Sequence, residues 1–307
     1  MKKLFAAATL ALLAASPLRA DDECRRIVIL SSLEMLPSSA NRVMVQASTE
    51  GKPLQMIVDT GGYLTALGED TAKALGLQIS VNPASNMVMF GGHPLRRMAT
   101  LNDFGLGRFK AKRMEYPLLP PGFLEPGADG LLAPDFLANF DLDFDFAGGK
   151  LNLISKEHCD GKVGYWTNLP LVGIPIVREE DNVHISTHIT INGHDVKAWI
   201  DTGASHSLMS LELAKDILDI RDDDPKLQSV TNGPNRTSGA KRYPIKEIKI
   251  GEVLVQNPNV VLVPHSQFGM GPRAPEMILG LSLLRQLHLY IAYREKMIYV
   301  TPASEHR

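Results

Sequence analysis

Gly193-His194-Asp195-Val196-Lys197-Ala198-Trp199-Ile200-Asp201-Thr202-Gly203 is the stretch from which the rest of the chain can be read. Val196, Ala198 and Ile200 share one face, with Lys197 and Trp199 on the other, the period-two pattern of a strand at least half buried. Asn192-Gly193 just before it is a two-residue hairpin signal. The strand therefore leaves a tight turn and runs straight into Asp-Thr-Gly. A second stretch repeats the plan: Gly51-Lys52-Pro53-Leu54-Gln55-Met56-Ile57-Val58-Asp59-Thr60-Gly61. In each, a Gly stands eight positions before the Asp, and the two copies lie 142 positions apart with no gap. Leu54, Met56 and Val58 again alternate with Gln55 and Ile57. The register survives downstream, where Ala72-Lys73 falls on Ala214-Lys215.

A later correspondence strengthens the repeat. Leu131-Leu132-Ala133-Pro134-Asp135-Phe136-Leu137 matches Ile278-Leu279-Gly280-Leu281-Ser282-Leu283-Leu284, at an offset of 147, so the second half carries five more residues in between. Each half closes on a largely apolar, strand-like segment, residues 142–154 and 289–300. Two halves of one plan imply duplication and a pseudo-twofold axis. Short helices are expected after each Asp-Thr-Gly; in the second half Ser210 is the cap, with Leu211, Ala214 and Leu218 on one face. Residues 134–140 and 281–287 read as further short helices. Gly-containing hairpins are expected around 90–93 and 231–234. The fold class expected is all-β with few short helices. It comprises a lobe at 21–154, a connector at 155–182 and a second lobe at 183–307.

Composition narrows the function classes. Of the 307 residues 44% are hydrophobic and 21% charged, so a packed core is feasible. The net charge of −2 gives no electrostatic reason to invoke nucleic acid, and Arg96-Arg97 and Lys110/Lys112-Arg113 lack interleaved aromatics. Lys2-Lys3, a short apolar run and Ala20 before Asp21-Asp22 read as a signal peptide over residues 1–20. That predicts a periplasmic or secreted protein, with no membrane-spanning segment after cleavage. The two cysteines, Cys24 and Cys159, would form one disulfide in that compartment. No clustered Cys/His spacing supports a metal site, and no phosphate-binding Gly loop or Gly-x-Ser-x-Gly elbow is present. The alternating acids of Phe140-Asp141-Leu142-Asp143-Phe144-Asp145-Phe146 lack the Gly and terminal Glu of a calcium loop and read as a strand with one polar face. No cofactor is expected.

Asp-Thr-Gly by itself reads as a turn after a strand. Its duplication in register, each copy followed by an apolar-apolar-Gly/Ala segment, is what carries chemistry. Ile200-Asp201-Thr202-Gly203-Ala204-Ser205 and Ile278-Leu279-Gly280 resemble the active-site and supporting motifs of the pepsin/retropepsin clan of aspartic peptidases. In lobe length the chain is similar to the exported bacterial single-chain type. The resemblance covers nearly all of the chain after residue 20. It implies two homologous acid-protease β-barrel lobes and a catalytic pair, Asp59 and Asp201. Thr60, Gly61, Thr202, Gly203 and Ser205 would support the catalytic loops, and Gly91-Gly92 and Asn232-Gly233 would tip two flaps. It implies an endopeptidase acting on a peptide or protein substrate through activated water, with both carboxylates on one chain and hence a monomer.

Two positions depart from the pattern. Gly62-Tyr63 stands where the second copy has Ala204-Ser205, and Ala133 stands where it has Gly280. Gly61 and Gly203 read as residues freeing a tight turn. An active enzyme and a catalytically silent module that binds a peptide or cell-envelope partner both follow from this sequence.

Overall fold

The computed structural model describes residues 26–84, 94–177, 184–230, 239–268 and 275–303. The leader at 1–20, Cys24 and the four flap-tip residues Gly91, Gly92, Asn232 and Gly233 lie outside the described residues.

The first half runs β1 (Ile29–Glu34), β2 (Met44–Thr49), β3 (Lys52–Val58), β4 (Ala66–Gly68), α1 (Glu69–Ala74), β5 (Gln78–Val81), β6 (Arg97–Leu106), β7 (Phe109–Leu119), β8 (Gly130–Leu132), α2 (Pro134–Leu137), β9 (Asp141–Asp145) and β10 (Lys150–Ile154). β11 (Ile174–Pro175) follows in the connector. The second half runs β12 (Ser186–Ile191), β13 (His194–Ile200), β14 (Ser207–Ser210), α3 (Leu211–Leu218), β15 (Gln228–Ser229), β16 (Lys241–Arg242), β17 (Glu247–Ile250), β18 (Val253–Gln256), β19 (Val260–Val263), β20 (Met277–Leu279), α4 (Leu281–Leu284), β21 (Leu287–Ala292) and β22 (Met297–Pro302). The fold is mostly β, in two lobes.

Tight turns set the registers. Asn192 and Gly193 have φ of 47° and 91°, so the β12–β13 hairpin turns on two left-handed residues, as the Asn-Gly pair requires. Glu50 and Gly51, 142 positions earlier, do the same between β2 and β3 with φ of 50° and 74°. Ser210 caps α3 as its sequence suggests, its side chain accepting from Leu213 N at 3.2 Å. The helices at 134–137 and 281–284 are one turn each, shorter than expected, because the chain enters β9 and β21 within a few residues.

The two lobes are not equally closed. In the first, the sheet order β2-β3-β8-β4-β7-β6-β5 gains a β2–β6 pairing and becomes a barrel. In the second, the long strand equivalent to β7 is split into β18 and β19 by Asn257-Pro258-Asn259. Proline has no N–H for the ladder and Asn257 sits at φ 49°. The resulting nine-stranded sheet is a half-barrel, and the chain has the expected plan of two all-β barrel lobes.

The closing segments 142–154 and 289–300 are hairpins, β9–β10 and β21–β22, rather than single strands. They meet edge to edge. β9 pairs β21 antiparallel, with Leu289 opposite Phe144 and Ile291 opposite Leu142, and a six-stranded sheet β1-β10-β9-β21-β22-β11 joins the lobes. One face of it, with Leu142, Phe144, Leu151, Leu289 and Ile291, belongs to the continuous core. Each such side chain removed from water contributes roughly 1.5–3 kcal/mol. The other face carries Asp141 and Asp143, which the alternation places together but which are fully buried rather than solvated. The connector covers them. His158 Nε2 lies 2.6 Å from Asp141 Oδ2, His288 Nε2 lies 2.5 Å from Asp143 Oδ1, and Tyr165 and Asn152 also donate to Asp143. Trp166 stacks on His288 at 4.5 Å. Burial pushes the Asp141 carboxyl up, against the opposing pull of His158. Cys159, in the same connector, is disulfide-bonded, and Cys24 is the chain's one other cysteine.

Candidate active site

Each Asp of the repeated motif is fixed from both sides as its strand ends. In the first lobe Val58 N donates to Val43 O at 2.8 Å, and Asp59 N to Leu132 O of the parallel strand β8 at 2.9 Å. In the second, Ile200 N donates to Ile185 O at 2.9 Å, and Asp201 N to Leu279 O of β20 at 3.0 Å. The two chain turns after these strands face one another at the junction of the lobes.

The threonines join them. Thr60 Oγ1 donates to Ile200 O at 2.8 Å and accepts from Thr202 N at 3.0 Å. Thr202 Oγ1 donates to Val58 O at 2.7 Å and accepts from Thr60 N at 3.2 Å. Both residues are fully buried. Every polar atom of each side chain is therefore answered by the opposite lobe, and neither hydroxyl competes with its own strand.

The glycines do a different task from the one their type suggests. Neither Gly61 nor Gly203 takes a left-handed backbone. A β-carbon on Gly61 would instead overlap the carboxyl of Asp201, and one on Gly203 the carboxyl of Asp59, each closer than 3.0 Å. They are glycines because each loop passes against the opposite Asp.

The carboxyls are half-buried and held by backbone donors. Asp59 Oδ1 accepts from Gly61 N at 3.1 Å, and Gly62 N donates to the Asp59 backbone carbonyl at 3.3 Å. Asp201 Oδ1 accepts from Gly203 N at 2.8 Å and Ala204 N at 3.0 Å. The Asp201 carboxyl lies against Gly61 and the Asp59 carboxyl against Gly203, so the two groups face one another across the junction. Burial pushes both carboxyls above the usual carboxylate range, and at Asp59 the charge of Asp201 adds to it. The backbone donors and the Arg42 guanidinium pull the other way. Two like groups at this separation titrate as a unit.

The departures from the repeat are now interpretable. Gly62 and Ala133 touch: a β-carbon on Gly62 would lie 3.2 Å from that of Ala133 and 3.0 Å from Asp59 Oδ2. In the second lobe the methyl is on Ala204, and a β-carbon on Gly280 would run into the carbonyls of His206 and Ala204. Each lobe thus has one Ala and one Gly at these two positions, in opposite order. Tyr63 points to solvent, with 62% of its surface exposed. Ser205, expected to support the loop of its own Asp, donates its hydroxyl across the junction to the carbonyl of Ala40. His206 is exposed.

A further pair of supports escaped the sequence reading. Thr65 donates to Asp135 Oδ1 through N at 2.8 Å and Oγ1 at 2.7 Å, and its Oγ1 accepts from Ala133 N at 3.0 Å. The counterparts are Ser207, whose N donates to Ser282 Oγ at 2.9 Å and whose Oγ accepts from Gly280 N at 3.0 Å. Their signal was in the repeat: Ser207 follows Thr65 at the offset of 142 and Ser282 follows Asp135 at 147. Arg42 carried no such signal. Among the described residues, no group of three or more His, Cys, Asp or Glu side chains is placed to hold a metal ion, and no helix is long and apolar enough to cross a membrane.

Two like lobes, a shared interlobe sheet and paired Asp-Thr-Gly loops define the bilobal aspartic-peptidase architecture. The family model for aspartyl proteases matches residues 45–136 and again 187–283, together more than half of the chain, and the chain belongs to that family. The two matches are the internal repeat. No curated protein matches the chain.

Proposed function

We propose that this protein is an aspartic endopeptidase in which Asp59 and Asp201 form the hydrolytic pair. The observation that carries the reading is the reciprocal lock of Thr60 and Thr202, which sets each carboxyl against the glycine of the opposite loop. With one proton between them, the ionised carboxylate accepts a proton from a water whose oxygen attacks the scissile carbonyl carbon. The protonated carboxyl gives its proton to the carbonyl oxygen. As the tetrahedral species collapses, the C–N bond breaks and the pair delivers a proton to the departing amine nitrogen. No covalent intermediate forms, and the fixed loops supply the positioning on which such a step depends.

The same reading takes the substrate as a peptide or protein held between the lobes, residues 21–154 and 183–307, linked by 155–182. Both carboxyls lie on one chain, so a monomer suffices; an obligate dimer on gel filtration would speak against that. The leader-like residues 1–20 and the disulfide-bonded Cys159 favour the periplasm or the exterior as the site of action.

The test is digestion of a mixed peptide library from acid to neutral pH by the protein, by Asp59→Asn and by Asp201→Asn, with circular dichroism to verify folding. Cleavage by the parent and its loss in both variants is the expected result. A folded parent that cleaves nothing sinks the proposal.

A further inference from the structure

A turn of the first lobe is gripped from both sides of the junction. Residues 38–42 lead towards β2, with Asn41 N donating to Ser38 O at 3.2 Å and Asn41 left-handed at φ 57°. From its own lobe the turn is held by one carboxylate. Ser38 Oγ lies 2.8 Å from both Oε1 and Oε2 of Glu125, and Ser39 Oγ and Ala40 N donate to Oε2 at 2.9 and 2.8 Å. Ser38 Oγ also accepts from Arg42 N at 3.1 Å, so the carboxylate fixes the turn from its first residue to its last. Burial pushes the Glu125 carboxyl up, but these donors and the charge of Arg42 outweigh it and hold it below the usual carboxylate range.

From the second lobe the same turn is met by a catalytic loop. Ser205 Oγ donates to Ala40 O, and Arg285, just after α4, reaches Asn41 O and Arg42 O through Nη2 at 3.5 and 3.4 Å. Ser205 follows Ala204, whose N–H donates to Asp201 Oδ1 at 3.0 Å. The start of α4 holds this part of the loop from behind, Leu281 N donating to Ala204 O at 2.8 Å and Ser282 N to Ser205 O at 3.1 Å. A continuous run of hydrogen bonds thus leads from Glu125 through Ala40 and Ser205 to the loop that holds Asp201. At the position of Ser205 the first catalytic loop carries the exposed Tyr63, so the grip falls on the Asp201 side.

We infer that Glu125 is a positioning residue for Asp201: it fixes the turn at 38–42, whose Ala40 carbonyl receives Ser205 and so keeps the Ala204 N–H aimed at the Asp201 carboxyl. This role rests on the reading of Asp59 and Asp201 as the hydrolytic pair. The charged group that faces Glu125 is Arg42, whose charge also bears on both catalytic carboxyls. A test must therefore separate the loss of the Glu125 charge from the loss of its hydrogen bonds.

The experiment compares Glu125→Leu, which loses the charge and every acceptor, with Glu125→Gln, which loses the charge and keeps an acceptor, and with Ser205→Ala at the far end of the run. The readouts are kcat and KM on a cleaved peptide across pH, together with carboxyl carbon NMR titration of Asp59 and Asp201. In Glu125→Leu, kcat falls about tenfold at unchanged KM. The acid limb of its pH profile and the first carboxyl titration both move to higher pH, because a donor to the ionised carboxylate is loosened. Glu125→Gln recovers most of the loss, Ser205→Ala reproduces it, and Glu125→Leu combined with Ser205→Ala is little worse than either alone. Unchanged kcat and an unchanged titration in a folded Glu125→Leu overturn the inference, as do losses that multiply in the double variant. Should Glu125→Leu not fold, Ser38→Ala, which removes the donor to both carboxylate oxygens, puts the same question to the same turn. If the parent protein cleaves nothing, the proposed activity fails, while the NMR titration still decides whether Glu125 steers Asp201.

Discussion

Gly62 lies against the methyl of Ala133, whereas Gly280, at the position of Ala133 in the second lobe, lies against the backbone carbonyls of His206 and Ala204. In the first lobe the added β-carbon on Gly62 would stand 3.2 Å from the Ala133 β-carbon. Gly62→Ala should therefore cost about 1–3 kcal/mol by overpacking and displace the Asp59 carboxyl, which lies 3.0 Å from the same β-carbon. Adding Ala133→Gly should recover about 1 kcal/mol, a coupling readable in a double-mutant cycle of urea melts. Strict additivity would mean that the two positions do not compensate.

Gly280 has no such partner to give way. A β-carbon there meets backbone carbonyl oxygens of His206 and Ala204 closer than 3.0 Å. Gly280→Ala should lower stability by more than Gly62→Ala and suppress peptide cleavage. Thermal melts of the two variants side by side make the comparison.

Thr60→Val removes a hydroxyl and leaves Ile200 O and Thr202 N, both at a dry junction, without their partner. Each unsatisfied buried group costs about 1–3 kcal/mol, so a loss of about 2–4 kcal/mol is expected, far more than the usual Thr-to-Val exchange on a strand. Thr202→Val should match it, because its bonds mirror those of Thr60. Serine at either position should retain most of the stability, since the hydroxyl survives.

The pair itself should be a stability cost above acid pH. Burial raises both carboxyls, so between the unfolded and folded pKa values the native state binds more protons than the unfolded chain, and stability falls as pH rises. Asp201→Asn or Asp59→Asn removes that penalty. Each variant should be at least about 1 kcal/mol more stable than the parent at pH 7, the worth of one pKa unit. The gain should vanish below about pH 4, where the parent is protonated in both states. A gain that persists at pH 3 would point to relief of something other than ionisation.

Cys159→Ser opens a disulfide. If the loop runs back to the chain's other cysteine, Cys24, the loss should reach about 4–5 kcal/mol on the chain-entropy account. A thiol assay on the unreduced, denatured parent should find no free sulfhydryl.

How much of this was legible in the sequence depends on how local the cause was. β3 and β13 were legible because alternation at Leu54-Met56-Val58 and Val196-Ala198-Ile200 is written in consecutive residues, and the two aspartates because the repeat aligned them. The cap at Ser210 depends on three residues. The buried Asp141 and Asp143 were legible as a strand face but not as a buried one. His158 lies 17 positions away, in a connector with no periodic pattern, and His288 lies 145 positions away, on β21. Gly61 and Gly203 were marked as important for the wrong physical reason: the crowding that excludes a side chain comes from the other half of the chain. Arg42, whose charge bears on both carboxyls, lies where nothing in the sequence stands out.

The pairing of β9 with β21 carries a consequence for concentration. A two-chain arrangement of such lobes would have to be assembled by encounter, and its hydrolytic pair would come apart on dilution. Here the lobes are tethered through the connector and zipped by Leu142, Phe144, Leu289 and Ile291, so each Asp-Thr-Gly loop meets the other at a fixed, high effective concentration. The closing of Thr60 on Thr202 is a first-order event, and its equilibrium should be the same in a nanomolar assay as in a millimolar one.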